Sequence, residues 1–187
     1  TKPDMVAYAV EAPLEAEPGT KWHYSTGTTI IISGIIRRAF SDQREYLAFP
    51  RRALFNRIGM RSAVFETDAA GTFAGGSNLF ASARDWARFG LLYLNDGVWE
   101  GERVLPEGWV AYSTTPAPAA EKGDYGVQVW LNKGPSGKPE ERPFPKLPQD
   151  LFYFEGYQGQ FVGVIPSRRL VVVRLGMTTK GEWAFDK

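Results

Sequence analysis

The feature that most restricts the fold is a pair of late β-branched runs, Gln160 to Ile165 and Leu170 to Leu175, separated only by Pro166-Ser167-Arg168-Arg169. Two such runs around a turn segment predict an antiparallel hairpin. A third run, Tyr125, Val127, Val129 and Leu131 alternating with Gly126, Gln128 and Trp130, has the period-two pattern of a half-buried strand. Upstream the period becomes helical. Ile32, Ile35, Ile36, Ala39 and Phe40 recur at helical spacing with Arg37 and Arg38 opposite, which predicts a helix from about Gly27 to Phe40. A second helical stretch covers Tyr46 to Phe55, and Pro50 is expected to break it in two. Ala83, Trp86, Ala87, Gly90, Leu91 and Leu94 form the stripe of an amphipathic helix, with Ser82 and Asp85 in a capping-box pattern and Gly97 as its stop. Pro106 marks a short helix through Tyr112. Helices in the middle and strands late predict an α+β fold.

Length and composition narrow the function classes. The 187 residues, 43% hydrophobic and 23% charged, match an ordinary folded domain and exclude a disordered or collagen-like chain. Lys and Arg total 22 against 21 acids, and the pairs Arg37-Arg38, Arg51-Arg52 and Arg168-Arg169 are scattered, which argues against a nucleic-acid partner. No apolar run approaches the ~20 residues of a membrane span, and no signal peptide is visible after Thr1. The bacterial periplasm and the cytoplasm both stay open. With zero Cys and one His, the sequence calls for no metal and no cofactor. Any chemistry must run on hydroxyls, amines or carboxylates.

Several constellations fall away. A Ser-His-Asp hydrolase would need His23, and no Gly-x-Ser-x-Gly elbow exists. Gly75-Gly76-Ser77 lacks the rest of a phosphate-binding loop and reads as a tight turn feeding the Ser82 helix. Asp4 with Glu11, and Glu140 with Glu141, read as solvated charges. The segment from Lys133 to Pro148 carries Pro135, Pro139, Pro143, Pro145 and Pro148; it either shapes a binding site or is a plain surface excursion.

Four segments in order carry a resemblance. They are Pro18-Gly19-Thr20 through Tyr24-Ser25-Thr26; Leu54 through Ile58-Gly59-Met60; Ala74-Gly75-Gly76 through Ser82-Ala83-Arg84-Asp85-Trp86-Ala87-Arg88-Phe89; and Gly156-Tyr157-Gln158-Gly159-Gln160. Together they resemble the serine β-lactamase and penicillin-binding-protein-like hydrolases, in the class C β-lactamase and esterase branch, over roughly Pro18 to Met177. The resemblance implies a helical subdomain over about residues 18–115 and, over about residues 124–187, the late antiparallel strands of a mixed α/β subdomain with the start of a closing helix at Gly181.

It also implies acyl transfer through a serine ester. Tyr24 takes the position of the general base, and Thr26 stands where asparagine is commonest in a substrate contact. Tyr157 maps onto the Lys or His of the late motif and Gly159 onto its glycine, so the backbone N–H of Gln160 becomes the expected oxyanion donor. Tyr157 supplies no cation for a substrate carboxylate, which favours esters and amides over β-lactams. Without the resemblance, Tyr24 reads as a packed aromatic and Gly156 and Gly159 as points of close backbone approach.

One motif is absent. No serine of the 187 residues has lysine three positions on; the nearest misses are Ser41 with Arg44 and Ser136 with Lys138. A tyrosine is only about 0.1% ionised at pH 7 and needs a nearby ammonium to act as a base. The expectation is therefore a C-terminal part of a hydrolase, inactive alone, whose Ser-x-x-Lys segment lies upstream as its missing partner. A non-catalytic binding or regulatory module of the same fold is the alternative.

Overall fold

In the computed structural model, which describes residues 2–178, the first helix, α1 (Met5–Val10), opens on Asp4, whose carboxylate accepts the N–H of Ala7 at 2.8 Å. Such a cap satisfies a donor that a helix start leaves without a partner. The expected closing helix at Gly181 lies outside the described residues. The chain divides into two compact units, Thr1–Ser82 and Ala83–Lys187.

In the first unit α2 (Thr26–Arg38) lies close to its predicted limits, but its buried face differs from the one expected. Ile30, Ser33 and Gly34 are buried, whereas Ile32, Ile35 and Ile36 are exposed. Packing of α1 explains the difference: a Cβ at Gly34 would meet a Val6 methyl at 2.6 Å. Close contact forms on the small-residue side, and the isoleucines turn away. Asp42 caps α3 (Gln43–Pro50), accepting the N–H groups of Arg44 and Glu45 at 2.6 and 3.1 Å. Pro50 does not break the chain's helical path. The backbone stays right-handed through φ −60°, ψ −38°, and only the hydrogen bonding widens into a π-helical turn, Arg51–Phe55. Tyr46 is buried between Phe40 and Phe73, with ring centroids 5.7 and 4.9 Å away, and its hydroxyl accepts the Phe73 N–H at 2.9 Å. A short antiparallel pair, β1 (Val64–Phe65) and β2 (Leu79–Phe80), completes the named elements.

The second unit begins with α4 (Ala83–Leu94), which ends as expected before Gly97 at φ 77°. Its buried positions are Asp85, Gly90, Leu92 and Tyr93, while Ala83 and Leu91 of the predicted stripe are exposed. Gly90 lets the helix settle on a sheet, since a Cβ there would meet methyls of Val171 and Val162 at 2.6 and 3.2 Å. Tyr93 meets the rings of Phe89 and Phe154 at 5.2 and 5.0 Å, and the buried Asp85 is paired with Arg88 at 2.7 Å. The ribbon β3 (Val98–Trp99) with β4 (Glu102–Arg103) follows, then α5 (Trp109–Ser113), which starts after Gly108.

A strand over 125–131 does not form. Gln128 takes φ 59°, the Gly126 N–H reaches Val129 O at 2.8 Å, and Tyr125 bridges Trp130, so the chain folds back on itself. Only β5 (Trp130–Leu131) remains extended. It joins β6 (Phe152–Gly156), β7 (Gln160–Ile165) and β8 (Leu170–Arg174) in a sheet of order β5-β6-β7-β8, antiparallel throughout. The predicted hairpin is β7–β8, closed by the Ile165↔Leu170 pair. α4 covers the sheet face bearing Val162 and Val171, while Tyr153, Phe161 and Ile165 pack with Phe144 and Leu147. β8 ends the sheet, with no strand beyond it among the described residues. The arrangement is α+β, as expected.

The 133–148 segment is anchored rather than free. Asn132 is fully buried; its Nδ2 donates to the carbonyls of Phe144, Leu147 and Pro148 at 3.0, 3.4 and 3.0 Å, and its Oδ1 accepts the Phe144 N–H at 2.8 Å.

Candidate active site

Tyr24 and Thr26 come together at the entrance of α2. The chain reverses at Pro18-Gly19, where Gly19 takes φ 83° and the N–H and Oγ1 of Thr20 both reach Glu17 O, at 3.1 and 2.7 Å. One carboxylate then closes the loop. Glu15 takes the Lys21 ammonium on one oxygen and the His23 Nδ1 on the other, the latter at 2.6 Å. These two partners hold the Glu15 carboxyl down to about 2. All three side chains are solvent-exposed, so the clasp contributes geometry more than stability. The next residue is Tyr24, 51% exposed, followed by Ser25 and by Thr26 as the first residue of α2.

Beneath this entrance lies the Gly75-Gly76 turn, which the sequence offered as a tight reversal and as the start of the third resembling segment. A Cβ at Gly76 would meet Thr26 Cγ2 at 2.6 Å, and one at Gly75 would meet Ser33 Oγ at 2.2 Å. Side-chain-free backbone is therefore required against the first turns of α2. Gly75→Ala is expected to cost about 1–3 kcal/mol by overpacking. Adding Ser33→Ala should recover most of it, because the next atom, Ser33 Cβ, stands at 3.6 Å. Thermal melts of the two single variants, the double variant and the parent check this; a loss unrelieved by Ser33→Ala would refute the close-packing account.

Tyr157, Gly159 and Gln160 come together in the second unit. Residues 157–159 are the turn of the β6–β7 hairpin, closed by the Gly156↔Gln160 pair. Tyr157 stands at its tip, 82% exposed. Gln158 and Gly159 take φ 58° and 80°, left-handed values that cost a non-glycine residue free energy and persist where neighbours hold them. The neighbours are identifiable. Arg174 Nη1 donates to Gly159 O at 2.6 Å, its Nη2 donates to Thr178 Oγ1 at 2.7 Å, and the Thr178 N–H reaches Gln158 O at 3.0 Å. Just before the turn, desolvation pushes the Glu155 carboxyl up. Sequence reasoning missed Glu15 and Arg174; the one available signal for Arg174 is a lone charge closing the Leu170-Val171-Val172-Val173 run.

Among the described residues no group of three His, Asp or Glu side chains could hold a metal ion, and no helix is long and apolar enough to cross a membrane.

Comparison with known proteins gives a consistent picture. The family model described as Beta-lactamase matches residues 1–186. A solved structure named "Putative 6-aminohexanoate-dimer hydrolase from Bacillus anthracis" is similar at TM-score 0.75 and 25% identity, over 97% of this chain and 44% of that one. One named "putative beta-lactamase from Bacteroides dorei DSM 17855" has TM-score 0.66 and 15% identity, over 94% of this chain and 58% of that one. A beta-lactamase from Mycobacterium bovis has TM-score 0.61 and 19% identity, over 92% and 65%. These last two share the fold. The chain thus spans less than half the length of the first of these proteins. No curated protein matches at a significant level.

Proposed function

Because this chain belongs to the beta-lactamase family, we propose that it is the tyrosine-bearing part of a serine hydrolase that cleaves an ester or an amide through an acyl-enzyme. The observation that carries the reading is Tyr24 at the mouth of α2, in a Pro-Gly-Thr to Tyr-Ser-Thr segment, within a family match running from residue 1 to 186.

In this reading the serine of an upstream Ser-x-x-Lys segment attacks the substrate carbonyl and passes its proton to the Tyr24 phenolate, which the lysine ammonium stabilises. The tetrahedral oxyanion is held by backbone donors, one of them the Gln160 N–H. The alcohol or amine leaves with the proton, and water then hydrolyses the acyl-serine by the same route. By their places in the family's motifs, Thr26 of the first unit and Tyr157 and Gly159 of the second are each assigned to substrate contact. Tyr157 offers no positive charge where the family's late motif carries Lys or His, which disfavours a free-acid β-lactam. The Bacillus anthracis protein, 25% identical, is named for hydrolysis of a 6-aminohexanoate dimer, and that name supports an amide or ester instead.

Residues 1–187 contain no Ser-x-x-Lys. The 187-residue chain by itself is accordingly expected to show no turnover of a nitrophenyl ester and no labelling by a fluorophosphonate probe. Turnover abolished by Tyr24→Phe, or an acylated residue within the chain, would overturn this assignment of the nucleophile.

A further inference from the structure

We propose that Arg174 is a positioning residue that fixes and polarises the Gly159–Gln160 peptide group. The proposal deepens the reading of the Gln160 N–H as an oxyanion donor and rests on it for its catalytic meaning.

The carbonyl of Gly159 and the N–H of Gln160 belong to one planar unit and point in opposite directions. Whatever holds the carbonyl therefore aims the N–H. Arg174 Nη1 donates to that carbonyl at 2.6 Å, a short charge-assisted hydrogen bond. A guanidinium on the oxygen draws electron density out of the amide, which strengthens the N–H as a donor on its far side.

The guanidinium is itself held in place. Arg174 lies on β8 opposite Phe161 of β7, one residue beyond Gln160, so the strand pairing sets the origin of its side chain. Its Nη1 also reaches Gly176 O at 3.2 Å and its Nη2 donates to Thr178 Oγ1 at 2.7 Å, while the Thr178 N–H ties Gln158 O at 3.0 Å. The last residue of β8 and the segment after it thus strap the turn at two successive carbonyls, Arg174 at that of Gly159 and Thr178 at that of Gln158. Gln158 and Gly159 are the two residues held at left-handed φ. A lysine could supply one donor but not the fork.

Two measurements separate this proposal from the reading beneath it. In the 187-residue chain, Arg174→Gln is expected to move the Gly159 carbonyl 13C resonance upfield and shift the Gln160 amide. Arg174→Lys should restore part of both shifts. Thr178→Ala, which keeps the bond to Gly159, should leave the Gly159 resonance in place. An unchanged Gly159 resonance in both Arg174 variants overturns the proposal, and the lysine variant serves if the glutamine variant fails to fold. In a protein joining this chain to its Ser-x-x-Lys segment, Arg174→Gln is expected to lower kcat roughly 10- to 100-fold with KM nearly unchanged. Resonance shifts without a kcat effect would leave Arg174 as the positioner and remove Gln160 from the oxyanion site.

Discussion

Replacing Tyr24 by phenylalanine in a protein that joins residues 1–187 to a Ser-x-x-Lys segment is expected to reduce kcat by roughly 100- to 10,000-fold, the usual worth of a positioned general base. The substitution removes one oxygen from a half-exposed ring at the mouth of α2, so the fold and KM should change little. Steady-state hydrolysis of a nitrophenyl ester reads the effect, and a burst of acyl-enzyme should vanish with it. A Tyr24→Phe enzyme within tenfold of its parent would mean that the ring only packs, and the proton would have to pass directly between serine and lysine.

The second large effect concerns Asn132. Its amide pairs with three carbonyls and one N–H of the 133–148 loop, and this partner set dictates which end is oxygen and which nitrogen. Asn132→Ala leaves those buried groups without partners, at about 1–3 kcal/mol for each one that water cannot reach. A total loss of about 3 kcal/mol would lower Tm by roughly 6–12 °C in a chain of this size. Proteolysis should then cut first between Lys133 and Pro148. Asn132→Asp should be worse still, since a carboxylate oxygen would face the three carbonyls. A melting temperature within 2 °C of the parent (roughly the shift from less than 1 kcal/mol) in both variants would show that the loop is held by its prolines instead.

Much of the fold was legible because local signals agreed with tertiary ones. The α2 and α4 spans follow from periodicity, the stop at Gly97 from its freedom at positive φ, and the β7–β8 hairpin from β-branched runs around Pro166. What periodicity could not settle was which face meets a partner. Gly34 in α2 attracts the close contact, and a hydropathy stripe scores a glycine as nearly neutral; in α4 the stripe did include Gly90, but the buried face also takes in Asp85, Leu92 and Tyr93. The 125–131 alternation misled for a related reason: Gln128 carries no local mark of the left-handed turn imposed by the Tyr125–Trp130 bridge. At the candidate site, residue order placed Tyr24 and Thr26 on one short segment and Tyr157 with Gly159 and Gln160 on another. The supports were hidden. Glu15 and Arg174 act across turns, and their partners are neighbours only after the chain has folded.

The outer edge of β8 bears on how this polypeptide behaves in a tube. Leu170-Val171-Val172-Val173 has the makeup of a strand buried within a sheet, with neither a proline nor an inward charge to blunt its edge. A natural edge strand is usually short, bulged or charged so that other chains cannot add to it. Among the described residues no strand pairs with β8 on that side, so an extended segment that reaches it has a backbone row to pair with. A concentrated sample of residues 1–187 is then expected to be limited by copies meeting edge to edge, which dilution, a charged substitution on β8 or a capping strand should relieve more than added fold stability.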